Sequence, residues 1–165
     1  MFYSRKIYPQ LISHAELPAV TVLTGMRRTG KTTLVLQVMA DIQNKNSLYL
    51  DLQRPDNREL FEQKNYEAIR DSFIARGLLQ DKPMVIVLDE IQLAPDSPGA
   101  IKYLSDHHKI KFIVTGSSSY YLKNLFSESL SGRKKIFELH PLDFGEFLTF
   151  KEVLFHADSW KERKF

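Results

Sequence analysis

A chain of 165 residues with 43% hydrophobic and 26% charged residues matches a single soluble globular domain, burying about 70% of the surface its unfolded chain exposes. It has no cysteine, which excludes disulfides, zinc–thiolate sites and thiol catalysis; it also carries no apolar run of membrane-spanning length and no secretory core in its first residues, so a cytoplasmic location is expected. The net charge of +3 suits anionic ligands generally and does not by itself point to nucleic acid.

The first strong element is Ala19-Val20-Thr21-Val22-Leu23, β-branched and apolar, which reads as a buried strand. It runs into Gly25-Met26-Arg27-Arg28-Thr29-Gly30-Lys31-Thr32, which is G-x-x-x-x-G-K-T, and then into a breaker-free helix from Thr32 to Ala40. Strand, glycine-rich loop and helix together form the phosphate-binding P-loop. The glycines permit backbone turns that a Cβ would block, so successive N–H groups can curl around a phosphate at the positive end of the helix. Gly25, Arg28, Thr29, Gly30, Lys31, Thr32 and Thr33 are therefore the expected nucleotide contacts, with Lys31 on the outer phosphates and the Thr32 hydroxyl on Mg²⁺. Arg27 and Arg28 occupy variable positions of the motif, and one can point to phosphate or to a neighbouring subunit.

Beyond the helix, Leu34, Val35, Val38, Met39 and Ile42 share one apolar face. Ser47–Asp51 reads as a short strand, with Pro55 in a loop after it. Asn65 caps a helix with apolar positions Tyr66, Ile69, Phe73 and Ile74, stopped by Gly77. Met84–Leu88 is a continuous apolar run, expected of a strand buried on both faces, and it ends in Asp89-Glu90. At a strand tip beside the loop, Asp89 can bind Mg²⁺, and Glu90 can act as general base on a water in line with the γ-phosphate. Ser97-Pro98 starts a helix with Ile101 and Leu104 turned inward. Ile110–Val114 is a further strand that breaks into Thr115-Gly116-Ser117-Ser118-Ser119. Thr115, Ser117 or Ser118 can donate to the γ-phosphate or hold the attacking water, and the sequence does not choose among them. Tyr120–Phe126 reads as a short helix, Lys135–Leu139 as a last strand and Asp143 as the start of a helix through Phe147 and Leu148. Arg133, just ahead of that last strand, is a candidate arginine finger, though a solvated basic turn is the more common fate of such a run. His107-His108 lacks the spacing of a metal site. Asn44-Lys45-Asn46-Ser47 has no Asp to read guanine, which turns the reading from GTP to ATP.

Alternating strands and helices require crossovers, so the fold expected is α/β, a three-layer P-loop architecture with a mainly parallel five-stranded sheet. Met84–Leu88 and Val20–Leu23, apolar on both faces, belong near its centre.

The strings Leu23–Thr33, Asp89-Glu90-Ile91-Gln92, Thr115-Gly116-Ser117-Ser118, Ser131-Gly132-Arg133 and Pro141–Phe147 occur in an order that resembles the bacterial and archaeal AAA-domain ATPases. Those usually carry a carboxy-terminal domain of unknown function. The resemblance covers roughly residues 15 to 150 and implies a sheet of order 5-1-4-3-2, with ATP and Mg²⁺ as ligands. On that reading residues 1–150 are the ATPase domain and 151–165 a tail leading to a second domain that the sequence does not include. The resemblance implies an ATPase that couples hydrolysis to conformational change or to a partner. A P-loop kinase acting on a small molecule and a nucleotide-held switch with little turnover are the alternatives. A homo-oligomer and a DNA or protein partner stay open, with no membrane partner expected.

Overall fold

In the computed structural model of the chain, residues 5–117, 130 and 132–151 are described. Period-two alternation organises the centre of the molecule. Strand β1 (Val20–Thr24) sends Val20 and Val22 to one face and Leu23 to the other; β3 (Val85–Asp89) sends Ile86 and Leu88 one way and Val85 and Val87 the other. Because both faces are apolar, both must be covered. On one side α4 (Tyr66–Ala75) and α5 (Ser97–His108) bring Ile69, Phe73, Ile101 and Leu104; on the other, α1 (Tyr8–Ala15) and α2 (Lys31–Asp41) bring Leu11, Leu34, Val35 and Val38. Phe73 and Phe112 are fully buried, each worth about 1.5–3 kcal/mol relative to an exposed ring.

Among the described residues the sheet has five strands, all parallel, in the spatial order β2-β3-β4-β1-β5, which read from the other edge is 5-1-4-3-2. Here β2 is Ser47–Asp51, β4 is Lys111–Gly116 and β5 is Lys134–Glu138. β4 is the middle strand and β1 and β3 flank it, so both doubly apolar runs are interior, as expected. Register brings the strand ends level: Asp51 pairs with Asp89, Leu88 with Val114, and Leu23 with Thr115.

The helix expected after Asn65 forms, with the Asn65 side chain accepting from the Glu67 N–H and Gly77 at φ +103° beyond its end. α6 (Phe144–Phe150) starts at Asp143, whose carboxylate accepts from the Glu146 N–H while the Glu146 side chain accepts from the Asp143 N–H. Two local readings change. Pro55 does not sit in an irregular loop. It opens the short helix α3 (Pro55–Arg58), which runs into a 3₁₀ turn at Glu59–Phe61, because a proline fits the first helical turn, where no N–H is needed. And α1, for which Pro9 offered the same signal at the start of the chain, is an element the periodicity reading passed over. The helix expected at Tyr120–Phe126, Ser118 and the tail beyond Lys151 lie outside the described residues.

Candidate phosphate-binding site

Gly25 leaves β1 at φ +152°, and a Cβ there would collide with the Leu139 carbonyl oxygen just past β5. The close approach is sealed by the Leu139 N–H donating to the Thr24 carbonyl at 2.7 Å. Glycine is thus required by space as well as by conformation. Arg28 (φ +65°) and Gly30 (φ +91°) turn the loop back on itself, and Gly30 is the N-cap residue of α2. The first N–H groups of that helix face the loop without intrahelical acceptors, together with the positive end of the helix dipole. Thr29 Oγ1 closes the turn on the Met26 carbonyl at 2.9 Å. Lys31, only 5% exposed, donates from Nζ to the carbonyls of Gly25 and Met26, both at 2.9 Å, which stands its ammonium at the centre of the loop. A buried ammonium held by neutral dipoles beside a helix start is the charge an anion would meet there.

Level with the loop, at the carboxyl end of β3, Asp89 is 2% exposed and gathers three hydroxyls. Thr32 Oγ1 and Tyr49 OH donate to its Oδ2, each at 2.7 Å, and Thr115 Oγ1 donates to its Oδ1. Burial, and then the Asp89 carboxylate beside it, push the Tyr49 phenol well above its usual range, so it stays a donor. Glu90 comes next, in the left-handed region at φ +60°, ψ +52°, an arrangement that costs a non-glycine residue of order 1 kcal/mol and turns its side chain out of the strand's alternation. Its N–H donates to Thr115 Oγ1 at 3.1 Å, and its carboxylate accepts from Ser117 Oγ (3.0 Å to Oε2) and from Gln92 Nε2. Thr115 therefore ties both acids together from the next strand, while Ser117 touches only Glu90. The hydroxyls left unranked by sequence have different posts, and Ser118 lies outside the described residues.

Beside the loop lies a cavity of about 750 Å³ walled by Met26, Leu34, Pro141, Leu142 and Phe150, with Arg28, Thr29 and Thr33 on its loop side. Its apolar walls continue directly from the polar loop.

Lys31, Thr32, Asp89, Glu90, Thr115 and Ser117 thus converge at the carboxyl ends of the interior strands β1, β3 and β4, where open α/β folds bind ligands. Arg133 does not join them. Its carbonyl accepts from the Val20 N–H at 2.8 Å, at the amino end of β1, so the five residues of β1 (about 17 Å of strand) separate it from the loop. Its guanidinium pairs with Asp106 at the surface. The turn before β5 thus opens at the end of the strand opposite the loop of its own chain. Tyr49 went unnoticed in the sequence, although its place in Ser47–Asp51, next to the acid-bearing strand, was the available signal. Arg5 also went unnoticed: it donates to the Thr29 carbonyl at 3.1 Å from far along the chain, and no local pattern announces it.

Residues 18–148 match the family model of the AAA domain. An uncharacterised protein of Haemophilus influenzae is 29% identical over 162 residues, covering 91% of this chain and 38% of its own length. One of Methanocaldococcus jannaschii is 29% identical over 132 residues, covering 80% and 29%. The chain therefore spans less than two fifths of these relatives. In fold it is similar to the structure of C. elegans PCH-2 (TM-score 0.60, 15% identity, 96% of this chain and 52% of that one). It is also similar to a chain of the Drosophila ORC structure with AT-rich DNA and Cdc6 (TM-score 0.57, 10% identity, 97% and 63%). With the P-loop, the paired acids and the 5-1-4-3-2 sheet in one frame, the chain belongs to the AAA domain family.

Proposed function

We propose that the protein binds ATP with Mg²⁺ and hydrolyses it, with residues 1–150 as the ATPase unit. The observation that carries this reading is the junction of loop and acids, Thr32 Oγ1 to Asp89 Oδ2 at 2.7 Å, with Glu90 one residue further on. The donor set fits magnesium: one buried carboxylate and one hydroxyl, both hard oxygens, the usual protein share when phosphate oxygens complete the shell. Thr32 and Asp89 would hold the ion. When bound, it neutralises charge on the β- and γ-phosphates. Gly30, Lys31, Thr32 and Thr33 cradle the phosphates through main-chain N–H groups, and Lys31 adds its charge to the outer two. The apolar cavity suits a purine and its ribose. Glu90 takes the proton of a water as that water attacks the γ-phosphorus and the bond to the β,γ-bridging oxygen breaks, leaving ADP and phosphate.

One feature favours slow basal turnover, close to a nucleotide-held switch. The Glu90 carboxylate is engaged by Ser117 and Gln92, which compete with a catalytic water for its oxygens. A homo-oligomer that brings Arg133 from a neighbour fits the same picture, since fingers supplied in trans are worth roughly 10³- to 10⁵-fold in rate. The Drosophila neighbour is bound to DNA, which makes DNA a partner worth testing. No helix among the described residues is long and apolar enough to cross a membrane.

The test is phosphate release with and without DNA, alongside a screen for a phosphorylated small-molecule acceptor. Glu90→Gln, nearly isosteric, keeps ATP affinity and lowers release by roughly 10²-fold or more. Release unchanged in that variant would remove Glu90 as the base, and a phosphorylated acceptor would make the protein a kinase.

A further inference from the structure

The loop's turn is held from outside by one side chain. Arg5, in the segment before α1, is 12% exposed and makes four hydrogen bonds. Nη1 donates to the Thr29 carbonyl in the loop at 3.1 Å. Nη2 donates to the His140 carbonyl, just past β5, at 2.7 Å. Nε and Nη2 grip the two oxygens of Glu146, 9% exposed in α6, at 3.0 and 3.3 Å. Glu146 is itself fixed: its carboxylate accepts from the N–H groups of Lys6 at 2.8 Å and Asp143 at 3.1 Å. Burial raises the Glu146 pKa, but the Arg5 guanidinium and those two N–H groups outweigh it, so the carboxyl sits below its usual range and stays ionised. Residues 141 apart in sequence are thus joined by a bidentate pair whose remaining N–H groups hold two backbone carbonyls, the arrangement a planar guanidinium makes and an ammonium does not.

The consequence lies in the Thr29–Gly30 peptide. It is trans, as every described peptide is, so its carbonyl and its N–H point in opposite directions. With the Thr29 oxygen drawn to Arg5, the Gly30 N–H is turned away from Arg5, one residue before the N–H groups that open α2. Gly30, at φ +91° and with no neighbour within 4 Å of where a Cβ would stand, has the freedom to rotate that peptide if nothing pins it. A positive charge on the carbonyl also polarises the amide and strengthens the N–H as a donor.

We propose that Arg5 is a positioning residue of the phosphate loop: held by Glu146, it fixes the Thr29–Gly30 peptide with its N–H ready for phosphate, and so makes the loop's affinity depend on the α6 segment. This rests on the proposed nucleotide binding. It places the effect on the phosphates, although Arg5 also borders the apolar cavity where a base would lie.

The experiment measures the affinity of magnesium ATP and of magnesium tripolyphosphate for wild type, Arg5→Gln, Arg5→Lys, Glu146→Gln and the Arg5→Gln/Glu146→Gln double variant, with Lys31→Ala as reference. Arg5→Gln is expected to lose roughly 10- to 100-fold for both ligands alike, as removal of a charged hydrogen bond does. Arg5→Lys recovers only part, Glu146→Gln weakens both ligands, and the double variant is no worse than Arg5→Gln, since the residues act as one unit. Amide exchange at Gly30 in the nucleotide-free protein speeds up in Arg5→Gln. Unchanged tripolyphosphate affinity, or a loss confined to ATP, overturns the proposal. If Arg5→Gln does not fold, Arg5→Lys and Glu146→Gln decide it on the same criterion. Wild type binding neither ligand overturns both this proposal and the function it rests on. Binding lost in Lys31→Ala but indifferent to Arg5 overturns this proposal alone.

Discussion

Thr115→Val swaps a hydroxyl for a methyl at a fully buried position in the middle strand, where valine is at least as good a strand former. Shape is kept and two hydrogen bonds are lost: the donation to Asp89 Oδ1 and the acceptance from the Glu90 N–H. The first is a bond to a charged group, about 1.5–3 kcal/mol, and the second leaves an amide donor without its partner, about 1 kcal/mol or more. Asp89 keeps Thr32 and Tyr49, which limits the damage. The sum is about 3 kcal/mol, and for a domain of this size it lowers Tm by roughly 6–12 °C. Turnover falls by roughly tenfold as well, because Thr115 is the strut between the two acids. Thr115→Ser retains the hydroxyl and loses one methyl, at about 1 kcal/mol, with turnover close to wild type. Thermal unfolding followed by circular dichroism, with phosphate release on the same samples, separates the two variants. A valine variant as stable and as active as the serine one would refute the assignment of Thr115 to both acids.

Other parts of the molecule carry two further expected outcomes. His14, 6% exposed, has its imidazole pushed down to about 4 by burial first and then by Lys111 and Lys135. The unfolded chain takes up that proton near pH 6.5 and the folded one only near pH 4, so the contribution is whole above about pH 6.5 and lost as pH falls towards 4, about 3 kcal/mol in all. Urea unfolding from pH 7 to 4 reads it, and His14→Gln flattens that slope; an unaltered slope would assign it to other groups. Arg133→Ala leaves ATP affinity unchanged, and mixed into wild-type subunits it lowers turnover only if the protein assembles; turnover independent of protein concentration and of Arg133 would mean that one subunit holds the whole catalytic apparatus.

Legibility in the sequence divides along a physical line. Contiguous signals were legible: the G-x-x-x-x-G-K-T loop between strand and helix, the doubly apolar runs that became β1 and β3, and the Asp-Glu pair at a strand tip. Each is local, fixed by residues within a few positions of one another. Contacts between distant segments were not. Tyr49 and Thr115 reach Asp89 only because parallel registry levels three strand ends, and Arg5 reaches Glu146 across nearly the whole chain. The place of Arg133 was not legible either, because sequence nearness to a strand does not tell which end of it the residue occupies; the parallel pairing of β5 with β1 does. Pro55 misled because proline both breaks and begins helices, and only the residues after it decide which.

Everything proposed for the site depends on the Gly25–Thr32 loop holding the phosphates of ATP, and calorimetric titration of wild type and Lys31→Ala with magnesium ATP reads that contact without passing through turnover. Lys31 Nζ is the ammonium at the loop's centre, and its removal leaves the outer phosphates without that charge. Saturable binding by wild type and none measurable by Lys31→Ala is expected, with both proteins unfolding at similar temperatures. Equal binding by the two would contradict the assignment of the loop.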